Sequence, residues 1–159
     1  MKILLRNRAL LKISGSDAEL FLQNQLSNDI SKLEKSNIQI NAYCQHQGKI
    51  ISLFWVMRHN DSFLLSFPVD LLEKVKLRLQ MFIIMSEVQI EDVSEQYRQI
   101  GFINENYPNA YKINENLSLI IDSNVQKIDE ITTHKDEWIK ACIDYQIPEV
   151  FLSSSEKFV

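Results

Sequence analysis

The sequence predicts an α+β fold in which helices pack on an antiparallel β-sheet. Apolar residues recur with a period near 3.6 in some segments and with a period of two in others, as helices and half-buried strands require. Residues 10 to 93 indicate a strand, a helix, three strands, a helix and a strand. Such an order is typical of helices packed against successive antiparallel strands.

The first strand and helix are predicted from a change of pattern. The apolar run at 10–13 ends at Ser14-Gly15, and Ser16-Asp17-Ala18-Glu19 then fits a capping box at a helix start. The helical stripe meets Ser27-Asn28-Asp29, whose side chains compete for backbone hydrogen bonds. We therefore expect a helix, a polar break and a short second turn.

Three antiparallel strands should follow. A period of two begins at Ile38 and places apolar side chains on one face and amides on the other. The turn at 46–49 contains a glycine that can take positive φ, and the run at 50–57 is apolar on both faces. A third strand at 63–67 follows a polar turn, so we expect a hairpin extended by one strand.

The rest of the chain is predicted to form a helix and further short strands. Pro68 suits a first helical position, and Asp70 and Lys74 can pair on the solvent side of that helix. A strand at 88–93 completes a first α+β lobe, residues 1–95. Residues 96–159 are expected to form a shortened second lobe that packs on the first.

The second lobe is expected to contain two strands, at 98–103 and 117–121, and one helix. A second capping-box match begins at Thr133, and the helix that follows has Trp138, Cys142 and Tyr145 on its inner face.

The composition excludes several classes of function. The chain has 159 residues, 45% of them hydrophobic, so it can bury a core without crosslinks. Its net charge of −4 gives no broad positive field, and direct nucleic-acid binding is not predicted. No apolar stretch reaches the roughly 20 residues that a membrane-spanning helix needs. Cys44 and Cys142 lie far apart and the start lacks a signal-peptide pattern, so we expect a cytoplasmic protein.

Motifs for metal or nucleotide chemistry are sparse. The histidines lack metalloprotease spacing, and neither a phosphate-binding loop nor a dinucleotide fingerprint is present. Cys44 and His46 are two soft ligands close together, which allows a metal site, although a cysteine in this pattern is more commonly a small core residue. We expect no metal.

Two polar segments are candidate ligand contacts. The segment Gln23–Asp29 is dense in amides, which fits either a solvated helix face with a cap or a set of hydrogen-bonding groups for a flat heterocycle such as a pterin. The hairpin turn is either an ordinary surface turn or a site where Lys49 meets an anionic group. Trp55 would then form an apolar wall, unless it lies in the core.

Three stretches, taken together and in order, resemble the YgfZ-type folate-binding proteins, relatives of the glycine-cleavage aminomethyltransferase. They are Ile13–Ala18 with Phe21–Asp29, Ala42–Lys49 with the strand up to Arg58, and Trp138–Val150 with Phe158. The resemblance implies the aminomethyltransferase fold, a bound tetrahydrofolate, and a role in assisting iron–sulfur enzymes, including ones that modify tRNA. The predicted folate contacts are Gln25, Ser27, Asn28, Asp29, Gly48, Lys49 and Trp55.

Two departures from the family pattern affect the predicted activity. Ser52 matches the position of the aminomethyltransferase's catalytic aspartate, and a hydroxyl cannot replace a carboxylate in handling an amine. The family's carboxy-terminal Lys-Gly-Cys-Tyr-x-Gly-Gln-Glu motif would lie beyond Val159. We therefore expect an accessory protein, non-catalytic or weakly catalytic, whose partners are folate and iron–sulfur proteins.

Two alternatives remain open at this point. One is a folate-dependent aminomethyltransferase in which Asp29 substitutes as the acid. The other is a degenerate interaction module that keeps the fold, binds no ligand, and offers its end near Phe158 to a partner or a second copy.

Overall fold

A computed structural model describes residues 1–123, 131–132 and 134–157 of the chain. Within these residues the chain forms two β-sheets and three α-helices. The strands are β1 (Lys2–Leu4), β2 (Arg8–Ser14), β3 (Gln39–Cys44), β4 (Ile50–His59), β5 (Ser62–Pro68), β6 (Gln89–Asp92), β7 (Arg98–Ile103), β8 (Tyr111–Lys112), β9 (Leu117–Asp122) and β10 (Ile131–Thr132). The helices are α1 (Ala18–Gln25), α2 (Leu72–Met81) and α3 (Lys135–Asp144), with 3-10 turns at Ile30–Lys32 and Val69–Leu71.

Sheet one has the strand order β3-β4-β5-β2-β6 and is antiparallel throughout. The predicted α+β class is therefore confirmed, with the strands and helices of residues 10 to 93 in the predicted order. The β3–β4 hairpin turns at Gly48, which takes a φ of 86° that most other residues avoid. β4 is apolar on both faces because helices cover one face of the sheet and the rest of the chain covers the other.

Sheet two has the order β10-β1-β7-β9-β8, antiparallel except for the β1–β10 pair. β7 and β9, the third and fourth strands in the sheet order, are the two strands predicted from the sequence. β1 was not predicted, because three residues are too few to display a period. β1 lies in sheet two, whereas the other strands before residue 95 lie in sheet one; the division into lobes at residue 95 stays a prediction.

The first core layer, which we call the helix layer, lies between sheet one and the helices α1 and α2. Leu22 of α1 and Val75 and Leu79 of α2 are fully buried in it. The sheet side is rich in aromatic rings, with Tyr43 and Phe54 stacked at a centroid separation of 5.4 Å. These contacts fix both helices on one face of the sheet.

The second core layer, the inter-sheet layer, lies between sheet one, sheet two and α3. Trp55 of β4 and Trp138 of α3 meet edge to face there, with ring centroids 6.0 Å apart. Trp138 also lies directly over Gly101 of β7, where an added Cβ would come within 2.7 Å of its Cε3 atom. The two sheets therefore share one apolar core, with α3 covering it from the side.

The capping-box hydrogen bonds predicted at the start of α1 are wrong. The residue before the helix is Asp17, and its carboxylate accepts a hydrogen bond from the backbone N–H of Glu87 at 2.8 Å instead of capping the helix. A similar replacement occurs at α2. Lys74 pairs with Glu156 at 2.8 Å, and Asp70 accepts from the backbone N–H of Leu152 at 3.1 Å. At both helices, side chains that the sequence pattern paired with near neighbours instead bind partners distant in sequence.

The predicted two-residue period of β3 is confirmed, but the buried face is the polar one. Asn41 and Tyr43 are buried against the helix layer, whereas Ile40 and Ala42 are half-buried. Asn41 is satisfied there because its side chain accepts a hydrogen bond from the backbone of Asn28. Near the end of the chain, Thr133 of the predicted second capping box and Phe158 of the predicted exposed end lie outside the described residues.

Candidate ligand cavity beside a buried ion pair

A buried guanidinium, that of Arg8, lies at the start of β2 in the inter-sheet layer. Its Nε donates to Ser66 Oγ at 2.8 Å, and one Nη donates to the Ser66 backbone oxygen at 2.9 Å. The other Nη donates to Glu149 Oε2 at 2.7 Å. Ser66 Oγ in turn hydrogen-bonds Gln99 Oε1, and Gln99 Nε2 donates to the Arg8 backbone oxygen at 3.2 Å. The network thus joins β2, β5, β7 and the segment after α3.

The same guanidinium stacks on an aromatic ring. Its Cζ atom lies 3.5 Å from the centroid of Trp55, a fully buried side chain. A planar cation over the face of an indole is a favourable arrangement, more so where water is excluded. Arg8 is therefore held in place on its edge by hydrogen bonds and on its face by Trp55.

Burial shifts the pKa values of Glu149 and Arg8 in opposite directions. Desolvation raises the pKa of the Glu149 carboxyl group, and Arg8 opposes that shift. Desolvation lowers the pKa of Arg8, but a guanidinium starts so high that it stays protonated. Glu149 Oε1 is buried and has no hydrogen-bond partner among the described residues. An unpaired buried carboxylate oxygen is costly, which agrees with the raised pKa of Glu149.

A cavity of about 230 Å³ adjoins the ion pair; we call it the α3 cavity. Side chains from successive turns of α3 form the apolar wall of the cavity. Arg8 and Glu149 supply its charged groups. Its lining comprises Asn7, Arg8, Trp138, Ile139, Cys142, Ile143, Ile147, Glu149 and Phe151. Apolar walls with a few polar groups are the usual composition of a small-molecule site.

The cysteine in this wall has little thiolate character. Burial, and to a lesser extent the nearby Glu149, raise the pKa of the Cys142 thiol to about 11, against a smaller opposite effect of Arg8. Because the thiolate is the reactive form, Cys142 is suited to packing against a ligand rather than to nucleophilic attack.

The predicted contacts Ser27, Asn28 and Asp29 lie together along the outer edge of β3. Ser27 Oγ accepts from the backbone N–H of Ala42 at 2.9 Å, and the Asn28 backbone donates to Asn41 Oδ1 at 2.7 Å. Sheet one would otherwise present β3 as an open edge, which natural proteins commonly cover. Much of the polar capacity of this segment is therefore used in closing the edge of the sheet.

Asp29 has a local structural role as well. It precedes the 3-10 turn at Ile30–Lys32, and its Oδ1 accepts from the backbone N–H of Ser31 at 3.0 Å and from the Ser31 hydroxyl at 2.6 Å. These two hydrogen bonds lower the pKa of the exposed Asp29 carboxyl group. A carboxyl group with a lowered pKa is almost wholly ionised near neutral pH, so very little of it carries a proton to donate.

The remaining predicted contacts are spread over three places. Gln25 ends α1 and is half-buried, and Gly48 and Lys49 are exposed in the hairpin turn at the far end of β3. Trp55 lies in the inter-sheet layer under Arg8. The structure thus brings the amide-rich segment and the lysine-bearing turn to one strand, β3, and it places Trp55 near the α3 cavity instead.

Ser52, at the position that resembles the catalytic aspartate, is fully buried. It is paired with Tyr43 in the β3–β4 ladder and so faces the helix layer, and its Oγ has no hydrogen-bond partner among the described residues.

Sequence reasoning missed Arg8 and Glu149. An arginine at the head of an apolar run was a weak signal, because a strand commonly begins with a solvated charge. Glu149 lies 141 positions away, so no local pattern connects the two.

Among the described residues, no three histidine, cysteine or acidic side chains are close enough to hold a metal ion. No helix in the described part of the chain is long and apolar enough to span a membrane.

Comparison with known proteins gives sequence relatives of two kinds. No protein-family model matches the chain. It is 37% identical over 92 residues to an aminomethyltransferase of Exiguobacterium sibiricum, a match that covers 57% of this chain and 25% of that protein. It is 29% identical over 93 residues to the tRNA-modifying protein YgfZ of Colwellia psychrerythraea, covering 58% of this chain and 28% of that protein. The resemblance to the YgfZ and aminomethyltransferase proteins is confirmed.

A solved structure supports the same fold. The glycine cleavage system aminomethyltransferase T of Bartonella henselae superposes with a TM-score of 0.56 at 15% identity, over 63% of this chain and 27% of that protein. The YgfZ-type resemblance is thus one of sequence and the aminomethyltransferase resemblance one of sequence and fold. The matched segments span about a quarter of the length of these relatives.

Proposed function

We propose that this chain forms the folate-binding part of an accessory protein that supports iron–sulfur enzymes and tRNA modification without itself transferring one-carbon units. The observation that carries the proposal is the double similarity, to YgfZ and to aminomethyltransferases, over more than half of the chain. Tetrahydrofolate is the ligand that these two groups of proteins have in common by family resemblance. The proposal includes a cytoplasmic location.

The α3 cavity supplies groups that suit one end of such a ligand. Pockets for drug-sized ligands measure roughly 300–1,000 Å³, so a cavity of about 230 Å³ accommodates one flat ring system rather than a whole folate. Ile139, Ile143 and Trp138 offer apolar contact to the faces of a ring. Glu149 offers a carboxylate that can accept hydrogen bonds from ring N–H groups, as a pterin presents.

A second region of contact is the one predicted from the sequence. Gln25, Ser27, Asn28 and Asp29 along β3, together with the turn at Gly48 and Lys49, would contact the parts of the ligand that extend beyond the ring. The exposed ammonium group of Lys49 suits an anionic group there.

Two side chains support the proposed lack of one-carbon transfer. Ser52 is buried in the helix layer, and a hydroxyl of ordinary pKa is a poor base. Asp29, the substitute acid of the alternative hypothesis, is engaged by Ser31 and has a lowered pKa. Both observations support a binding role over a transferase.

Calorimetric titration of the chain with tetrahydrofolate, kept reduced, tests the proposal. Ile143→Glu places a charge on the exposed rim of the α3 cavity, and Ile84→Glu is a matched control because both side chains are largely exposed, 70% and 76% respectively. We expect wild type and Ile84→Glu to bind equally and Ile143→Glu to bind at least about tenfold more weakly, since a charge there must be desolvated on binding.

Lys49→Gln is the variant that separates the two contact regions. If Lys49→Gln weakens tetrahydrofolate binding and Ile143→Glu does not, the ligand binds at the hairpin turn and not in the α3 cavity. A wild-type chain that takes up no tetrahydrofolate would disprove the proposal.

A further inference from the structure

A second cavity, of about 340 Å³, is lined by the β1–β2 connection and by the start of β7; we call it the arginine cavity. It shares Arg8 with the α3 cavity and is otherwise different in character. Arg6, Arg8 and Arg98 line it, with Tyr97 and Ser94, and no aspartate or glutamate belongs to its lining. Because Glu149 pairs with Arg8, Arg6 and Arg98 are the two lining arginines that add positive charge to the cavity of a chain with a net charge of −4.

Two of these arginines have no partner within the described part of the chain. Arg8 is neutralised by Glu149, but the side chains of Arg6 and Arg98 are exposed and make no hydrogen bond or ion pair with any described residue. Asp92 and Glu95 lie within two residues of Ser94 in the sequence, yet neither lines the cavity. The Asp92 carboxylate is occupied in accepting from Ser94.

The pairing of β1 with β7 brings Arg6 and Arg98 to the same cavity. β1 and β7 are antiparallel, with Leu4 opposite Ile100, and the backbone N–H of Leu5 donates to the oxygen of Gln99 at 2.8 Å. β1 ends at Leu4, and Arg6 lies in the turn that follows it. Arg98 is the first residue of β7 and lies opposite Asp122 of β9. Arg6 and Arg98 line the same cavity, and two like charges that share a cavity repel each other.

We propose that the arginine cavity binds the oxyanion group, phosphate or carboxylate, of a small molecule between Arg6 and Arg98. Two guanidinium groups can each donate charge-assisted hydrogen bonds to one oxyanion, and the anion cancels their repulsion. The backbone hydrogen bond from Leu5 to Gln99 holds the β1–β2 connection, which carries Arg6, against the start of β7, which carries Arg98. The site stands apart from the folate proposal, since it uses neither the α3 cavity nor the β3 edge.

Calorimetric titrations at low ionic strength, without folate, test this site. The probes are inorganic phosphate and the dipeptide γ-glutamylglutamate, which carry the two kinds of oxyanion. The double variant Arg6→Gln/Arg98→Gln should bind the effective probe at least about tenfold more weakly than wild type, because it loses the charge-assisted hydrogen bonds.

The matched control is Lys32→Gln/Lys35→Gln, which removes the same number of charges from exposed positions near the 3-10 turn at Ile30–Lys32. That turn accepts a hydrogen bond from Arg58, which pairs with Phe63 near the start of β5. Arg8 pairs with Pro68 at the other end of β5. The control lysines are therefore remote from the arginine cavity. Wild type and this control should bind equally.

Binding of phosphate alone would identify a phosphoryl group as the ligand, and binding of the dipeptide alone a carboxylate; either supports the site. The inference is overturned if neither probe binds wild type at about 10 mM, a concentration at which even weak specific binding is measurable. It is also overturned if the arginine variant and the lysine control lose affinity equally, because the effect would then reflect net charge.

Discussion

Single side chains in the inter-sheet layer have properties that their sequence neighbours do not suggest. The helical pattern of the sequence predicts only that Cys142 lies on the inner face of its helix. In the folded chain it borders the α3 cavity beside Arg8 and Glu149, and burial raises its pKa to about 11. Glu149, which lines the same cavity, is also largely buried, with 20% of its side chain exposed.

Alkylation by iodoacetamide should show the raised pKa of Cys142. In Cys44→Ser, where Cys142 is the one remaining cysteine, we expect the rate at pH 8 to be roughly a hundredfold below that of free cysteine, because the thiolate fraction is that much smaller. The rate should rise with pH until it levels near the pKa of about 11. A plateau already near pH 8 or 9 would contradict the buried position of the thiol.

At the scale of elements, a buried network joins strands that the chain order keeps apart. Arg8 ties β2 to β5 through Ser66 and to the segment after α3 through Glu149, and Gln99 of β7 completes the connection. Two sheets whose facing sides are mostly apolar could slide over one another at little cost. Directional hydrogen bonds from one fixed guanidinium select a single relative position.

Removing one partner of the Arg8–Glu149 pair should destabilise the chain more than removing both. Arg8→Met leaves a buried carboxylate without a counter-charge, a loss of about 3–5 kcal/mol, with the partial exposure of Glu149 favouring the lower figure. In Arg8→Met/Glu149→Leu no charge remains to be compensated, so the free energy of unfolding should recover part of that loss.

Urea unfolding followed by far-ultraviolet circular dichroism measures these variants without depending on the fluorescence of Trp55, which Arg8 covers. Additive losses in the double variant would show that the two side chains contribute independently.

For the whole molecule, the shared inter-sheet layer determines how the chain unfolds. Residues of sheet one, sheet two and α3 all contribute to it, so neither sheet can keep its apolar face buried when the other separates. The amino-terminal strand β1 adds to this coupling because it belongs to sheet two, while β2, which follows at once, belongs to sheet one.

Unfolding should therefore be a single cooperative transition. The chain has two tryptophans, Trp55 and Trp138, and both lie in the inter-sheet layer, so fluorescence reports on that layer whereas circular dichroism reports on all strands and helices. We expect the two signals to change at the same urea concentration, within error, as a two-state domain requires. A fluorescence change that precedes the loss of secondary structure would indicate that the sheets separate first.

The sequence by itself determined the fold class, the order of elements from β2 to β6, the polar break after α1 and the glycine turn at Gly48. These features depend on the periodicity of neighbouring residues and on local backbone preferences, which a single chain displays directly. It also carried the family resemblance, which rests on the same local stretches.

Tertiary structure alone decided what the charged and polar side chains do. The Asp17 carboxylate bonds Glu87 instead of capping α1, the buried face of β3 is its polar one, and Arg8 meets a carboxylate 141 positions away. In each case the energy of burying a polar group depends on partners distant in sequence. Both cavities form only when the two sheets pack together, so they cannot be predicted from any single segment of the chain.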